Sequence, residues 1–183
     1  MKYCSTCGHP VEHRIPAGDN RHRFVCSSCE TIHYQNPRIV AGTVPVWDGR
    51  ILLCKRAIEP RYGYWTLPAG YMENTETTDE AARRETWEEA LADVTIEELY
   101  SIIHVPHIDQ VHMFYRASMK DAIYGAGEES LETELFEPDN IPWSEISFPT
   151  VKRTLEHFIE EQRNGRFTLH VSDIRHRMDQ KKD

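Results

Sequence analysis

The sequence predicts an α/β (α+β) sandwich, strands with two helices, behind a small separate unit at the N-terminus. Three observations predict it. Cys4-x2-Cys7 and Cys26-x2-Cys29 set the first stretch apart. Two apolar runs, Ile39 to Val46 and Ile51 to Arg56, flank Trp47-Asp48-Gly49-Arg50, where Asp-Gly is a strong hairpin signal. Thr77-x-x-Glu80 is a capping box, which opens a helix. A chain of 183 residues holds one medium domain and a small module, here 1–34 and 35–183.

In chain order, the N-terminal module comes first. Pro10, Pro16 and Gly18 break any long element there, and Gly8 and Ser27-Ser28 suit tight turns beside the cysteine pairs. The spacing of Cys4, Cys7, Cys26 and Cys29 matches the two knuckles of a four-cysteine zinc ribbon. Four thiolates fill a tetrahedral Zn²⁺ and leave no open position, so such a metal is structural. Two disulfides are the alternative, disfavoured in a reducing cytosol. With four cysteines present, His9, His13, His22 and His33 read as surface residues. Tyr34-Gln35-Asn36-Pro37 is a joint, followed by the predicted hairpin. Cys54, in the apolar Ile51-Leu52-Leu53-Cys54, reads as a core thiol.

Tyr62 to Pro68 is an extended approach to Gly70. The capped helix runs to about Ala90, with Ala82 and either Trp87 or Thr86 on its apolar side. Val94 to Val105 and Val111 to Ser118 read as strands about a loop at Pro106-His107. Ser130 to Phe136 alternates Leu131, Thr133 and Leu135 with Glu132, Glu134 and Phe136. Val151, Leu155, Phe158 and Ile159 give a second helical face, and Arg166 to Val171 a last strand. The tail Arg175 to Asp183 is polar and expected to be loose.

Composition limits the function. The chain is 39% hydrophobic and 28% charged, within the globular range. Its net charge of −9 and the lack of a Lys/Arg cluster disfavour nucleic-acid partners. No apolar run spans a bilayer, and Cys4 arrives before any signal-peptide core could form, so a cytoplasmic protein without a membrane partner is expected.

The chemistry is concentrated in Gly70-Tyr71-Met72-Glu73-Asn74-Thr75-Glu76 and Arg84-Glu85-Thr86-Trp87-Glu88-Glu89. Glu85, Glu88 and Glu89 stand at i, i+3 and i+4, so their carboxylates share one helix face. Like charges so placed repel by a few tenths of a kcal/mol per pair. Mg²⁺ or Mn²⁺ removes that cost and bridges to phosphate oxygens. A metal-dependent enzyme acting on a phosphate compound follows. A solvated acidic face would account for Glu80, but not for the glycine turn or the isolated Glu76.

The same residues carry a resemblance. Gly70, Glu76, Arg84, Glu85, Glu88 and Glu89 fall in register with G-x5-E-x7-R-E-U-x-E-E-x-G-U, the pattern of the Nudix hydrolases. Leu91 replaces the second glycine and Thr86 the first apolar U position. The missing glycine is expected to change how the helix ends. The resemblance implies a Nudix α/β/α sandwich with a mixed sheet behind the zinc ribbon, and hydrolysis of a diphosphate joined to another moiety. It implies Glu85, Glu88 and Glu89 as magnesium ligands, with the Ala69 carbonyl as a further one. Arg84, Glu76 and Gly70 are then structural, Arg84 pairing with Glu76. The general base in relatives is a motif glutamate or a later carboxylate, here Glu129 or Glu132. Trp65 is a candidate for stacking on a base or flavin, or for the core, and Arg56 for phosphate contact. His107 is a substrate-binding candidate beside His104 and His112. The chain also resembles ribbon-bearing FAD pyrophosphatases, through Ile32-His33-Tyr34-Gln35-Asn36-Pro37, Trp65 to Glu73, Arg84 to Ala90 and Ile141-Pro142-Trp143. FAD or ADP-ribose is the implied substrate, and a homodimer the implied assembly. NADH pyrophosphatase is one alternative, although those enzymes carry Ser-Gln-Pro-Trp-Pro-Phe-Pro where this chain has Ser101 to His107. A nucleotide-sensing module without catalysis is the other.

Overall fold

The structure, a computed structural model, describes residues 1–175. The expected loose tail lies, beyond Arg175, outside the described residues. The chain divides into two compact units, Met1–Pro37 and a second that begins at Arg38.

The first unit is an antiparallel sheet of β1 (Val11–Arg14), β2 (Arg23–Cys26) and β3 (Ile32–His33). Its buried apolar residues are Cys4, Pro16, Val25 and Cys26, too few to hold so short a segment without a staple. The four cysteines supply the staple. All are free thiols, and their sulfurs lie within 4.8 Å of one another.

The second unit comprises β4 (Arg38–Trp47), β5 (Arg50–Arg56), β6 (Trp65–Thr66), β7 (Ala69–Tyr71), α1 (Thr78–Ala90), β8 (Val94–Val105), β9 (Gln110–Met119), β10 (Ser130–Phe136), α2 (Pro149–Asn164) and β11 (His170–Asp173). The sheet runs β10-β5-β4-β9-β8-β11, with β6 on β5 and β7 on β4. It is mixed: β4 pairs β9 and β11 pairs β8 in parallel, and the other pairs are antiparallel. Alternation along β5 sends Ile51 and Leu53 to one face and Leu52 and Cys54 to the other. On the first face Val151, Leu155, Phe158 and Ile159 of α2 complete the large core. On the second, Ala81, Ala82 and Ala90 of α1 sit against Ala41, Val94 and Ala117 in smaller clusters. A helix on each face makes an α/β/α sandwich. Each fully buried Leu, Ile or Phe contributes about 1.5–3 kcal/mol.

Local chemistry explains the elements that hold the site. Asp48 and Gly49 both take positive φ, 48° and 77°, as a two-residue turn matched to strand twist requires. Thr77 Oγ1 accepts from the Glu80 N–H at 3.4 Å and Glu80 Oε2 accepts from the Thr77 N–H at 2.8 Å, so α1 starts on a complete capping box. It ends on Leu91, which adopts the left-handed conformation itself, φ 48° and ψ 29°, with its N–H on the Trp87 carbonyl. A leucine there costs about 1–2 kcal/mol relative to glycine.

One open choice is decided and two expectations need correction. Thr86, not Trp87, faces inward: its hydroxyl donates to the Ala82 carbonyl at 2.7 Å and lies 2.6 Å from Thr43 Oγ1, while Trp87 is 54% exposed. A register shift between Ser130 and Glu132 turns Leu131 outward, and Phe136 packs edge-on against Trp65 in the large core. The last strand begins at His170, because the Thr168 N–H and hydroxyl are bound to Glu161 and Phe167 packs against Tyr100 and Phe158.

Candidate active site

β7 and α1 face each other, and a salt-bridge cluster fixes the distance between them. Arg84 donates to Glu76 through Nε at 3.0 Å and Nη2 at 2.7 Å, to Glu85 at 2.7 Å, to Glu88 at 3.1 Å and to the Tyr71 carbonyl at 3.1 Å. One guanidinium thereby ties the loop before α1, the end of β7 and two of the helix glutamates together. It holds the Glu76 carboxyl below its usual range. Gly70 leaves room for this arrangement, since a Cβ there would overlap the Glu85 carboxylate.

Glu85, Glu88 and Glu89 open with Ala69, Gly70 and Glu129 onto one cleft of about 1380 Å³. Glu89 is buried, and Oε2 accepts the Ala69 N–H at 3.0 Å. Burial pushes its pKa up to about 8, against that hydrogen bond and with help from the Glu85 charge. Burial likewise raises Glu85, opposed by Arg84. The set is rich in anionic oxygen and short of positive charge, because Arg84 is committed to Glu76, Glu85 and Glu88. Such a donor set fits a hard divalent cation.

Glu129 arrives on the loop before β10, and that loop is fastened to the end of α1. The N–H groups of Gly125 and Gly127 donate to the Ala90 and Glu89 carbonyls at 2.8 and 3.1 Å, satisfying acceptors that the helix end leaves open. Gly127 lies so close that a Cβ would overlap the Glu88 carbonyl oxygen. Gly127→Ala is therefore expected to displace the loop and lower turnover about tenfold or more, since a 1 Å misplacement alone can cost 100-fold. Steady-state kinetics beside a melting curve checks this; parental kinetics would show that the loop does not position Glu129.

The other candidates separate. Arg56 and His107 line the cleft, as does His112, whose pKa burial lowers to about 4. His104 is exposed on β8 and is not among the lining residues. Trp65 lies in the core, 5% exposed, because β6 is covered on both faces; it is not placed to stack on a ligand in the cleft. Glu132 is directed away by the β10 register shift, pairs with Lys55 at 3.2 Å and does not line the cleft. His112 lines it as well, beside Tyr71 and Gln110, and those two were not singled out as site residues from the sequence. Their signal is spatial: Gln110 Nε2 donates to the Tyr71 hydroxyl at 2.8 Å, and Gln110 Oε1 lies 2.9 Å from His112 Nε2.

In the first unit the cysteine sulfurs stand 3.4–3.7 Å apart, for Cys4–Cys29, Cys7–Cys26 and Cys7–Cys29. A Zn–S bond of about 2.3 Å gives a tetrahedral edge of about 3.8 Å, so the thiols fit zinc. N–H groups of Thr6, Ser28 and Cys29 point at Cys4 and Cys26 sulfurs at 3.4 Å, and His33 Nε2 is 3.3 Å from Cys4 Sγ. His33 thus neighbours the cluster from outside it. Cys54 is buried and unrelated to it, its thiol pushed well above the usual range by burial.

An acidic helix lining a cleft on an α/β/α sandwich, with a four-thiol ribbon before it, describes a class of hydrolases. The Nudix N-terminal zinc ribbon family matches residues 2–35 and the NUDIX domain family residues 36–158. A crystal structure of a NUDIX hydrolase from Nitrosomonas europaea superposes with a TM-score of 0.92 and 49% identity, covering 95% of this chain and 99% of that one. The ADP-ribose pyrophosphatase of Methanocaldococcus jannaschii is 32% identical over 60% of this chain and 67% of its own length. The human mitochondrial NAD(P)H pyrophosphatase NUDT13 is 29% identical over 91% of this chain but 45% of its own length. The chain belongs to the Nudix hydrolase family. Among the described residues no helix is long and apolar enough to cross a membrane.

Proposed function

We propose that this chain hydrolyses the diphosphate bridge of a nucleoside diphosphate derivative: FAD, giving FMN and AMP, or ADP-ribose, giving AMP and ribose 5-phosphate. The observation that carries this is the convergence of Glu85, Glu88, Glu89 and Glu129 on one cleft. At about 1380 Å³ the cleft exceeds the roughly 300–1,000 Å³ of ordinary small-ligand pockets, which suits a dinucleotide.

Glu85, Glu88 and Glu89, with the Ala69 carbonyl, would hold magnesium or manganese. Such a cation, when bound, offsets phosphate charge and lowers the pKa of an attacking water. Arg84 keeps Glu85 and Glu88 oriented, and the Ala69 N–H does the same for Glu89. Glu129, which lines the cleft as Glu132 does not, would take the proton from water. Arg56 and His107 face the substrate. The ribbon cysteines hold structural zinc, and a reducing cytoplasm keeps such thiols available.

NADH is a second reading, favoured by the match with the human NAD(P)H pyrophosphatase across 91% of this chain. The experiment is direct. Purified protein with Mg²⁺ is given FAD, ADP-ribose, NADH and capped RNA, and the products are separated. AMP with FMN or ribose 5-phosphate is expected. Ligand binding with every compound left uncut would favour a nucleotide sensor and overturn the proposal. The homodimer implied by the family resemblance is tested by sedimentation in the same preparation.

A further inference from the structure

The four ribbon cysteines are not equivalent. Cys4 and Cys26 are buried, 4% and 0% exposed, while Cys7 and Cys29 are exposed. The backbone explains the division. In each Cys-x2-Cys turn the first cysteine is anchored, the Cys4 N–H donating to the His9 carbonyl at 2.8 Å and the Cys26 N–H to the Thr31 carbonyl at 3.0 Å. The second cysteine of each turn is left on the rim.

The sulfur contacts divide in the same way. Cys4–Cys29 at 3.7 Å and Cys7–Cys26 at 3.4 Å are partly buried, and Cys7–Cys29 at 3.4 Å is open to solvent. The buried sulfurs have further polar neighbours: the Thr6 N–H and His33 Nε2 at Cys4, the Ser28 and Cys29 N–H groups at Cys26. A cysteine is oxidised according to its thiolate character and its access. Zinc ligation keeps all four as thiolates, and the fold gives access to two of them, which touch.

We infer that the Cys7–Cys29 sulfur pair is an oxidation site, where hydrogen peroxide forms a disulfide and the ribbon releases its zinc. One thiolate of the pair attacks a peroxide oxygen; an S–O bond forms, the O–O bond breaks and hydroxide leaves. The other thiolate attacks that sulfur; the S–S bond forms, the S–O bond breaks and a second hydroxide leaves. Two thiolates lose two electrons, one peroxide gains them, and two solvent protons turn the hydroxides into water. Cys4 and Cys26 remain, half of a four-ligand set, and do not retain the ion. The new bond joins the chain before β1 to the chain after β2, so the first unit keeps one cross-link when the metal has gone.

The test uses the full chain, purified under reducing conditions and freed of reductant. Metal analysis should first find about one zinc per chain. Hydrogen peroxide is then added, and released zinc is read with a chromogenic chelator. Remaining thiols are alkylated in denaturant, and disulfides are assigned by tandem mass spectrometry. Released zinc should rise in step with a Cys7–Cys29 disulfide, one ion per bond, while Cys4 and Cys26 take the alkyl label. Cys54, buried in the second unit, should take it too. A dithiol reductant with added zinc should restore the starting zinc content. A first disulfide that includes Cys4 or Cys26, oxidation to sulfinic acid without a disulfide, zinc retained under excess peroxide, or a chain purified without zinc overturns the proposal. Neither readout involves a dinucleotide, so failure of the proposed hydrolysis leaves this result standing.

Discussion

Turnover of the Glu89→Gln variant is expected to fall by about 100-fold or more, the loss that follows removal of an anionic metal ligand. The fold should survive, because a glutamine oxygen can still accept the Ala69 N–H that now reaches Glu89 at 3.0 Å. Near-normal turnover would reject the role of this carboxylate. A second signature comes from pH. Burial raises the Glu89 pKa from the usual 4.5 to about 8, so the fold favours its neutral form. In protein free of divalent ions this group penalises the fold increasingly as pH rises from about 4.5 to about 8. The penalty is absent below that window and complete above it, and its size is on the order of a few kcal/mol. Glutamine cannot ionise, so Glu89→Gln should melt higher than the parent at pH 8 and about equally at pH 4.5. Melting curves at several pH values, without added divalent ions, read this difference. An unchanged pH profile would show that Glu89 is already ionised at neutral pH without a metal.

Cys26→Ser should empty the ribbon and leave the catalytic unit chemically complete. Structural zinc contributes about 10–16 kcal/mol of apparent binding free energy in small zinc modules, and that energy is folding energy. The first unit buries only Pro16 and Val25 besides its cysteines Cys4 and Cys26 as apolar residues, so it has little else to fold on. Metal analysis should find zinc falling from about one per chain toward none, as expected when a four-thiolate site loses a ligand. Amide exchange should accelerate across β1, β2 and β3. Full zinc occupancy in the variant would mean that Cys26 is not a ligand.

Much of this was legible in the sequence wherever a local rule governs the backbone. Asp48-Gly49 and the Thr77/Glu80 box each fix their own conformation, so the hairpin and the start of α1 could be read directly. Glu85, Glu88 and Glu89 share a face by helical geometry alone. What could not be read depends on partners far along the chain. Trp65 offered equal prospects as core or ligand platform, and the decision belongs to Phe136, far along the chain on β10, which packs edge-on against it. Thr86 and Trp87 were equal candidates for the inward side of α1, and Thr86 takes it because Thr43 supplies its hydroxyl with a partner. Choosing between Glu129 and Glu132 required the irregular register of β10 against β5. Which cysteine of each Cys-x2-Cys pair faces solvent is silent in sequence too, because the spacing treats both alike.

Helix α1 carries acidic residues at both ends: Asp79 and Glu80 in its first turn, Glu88 and Glu89 in its last, where it has no basic residue. The first pair agrees with the helix dipole and the second opposes it. The protein therefore accepts a weakened helix terminus where it needs strong affinity, and the electrostatic frustration of that last turn becomes attraction for whatever positive charge enters the cleft. Neutralising the terminus with a lysine would steady the resting protein and spoil it as a trap for cations.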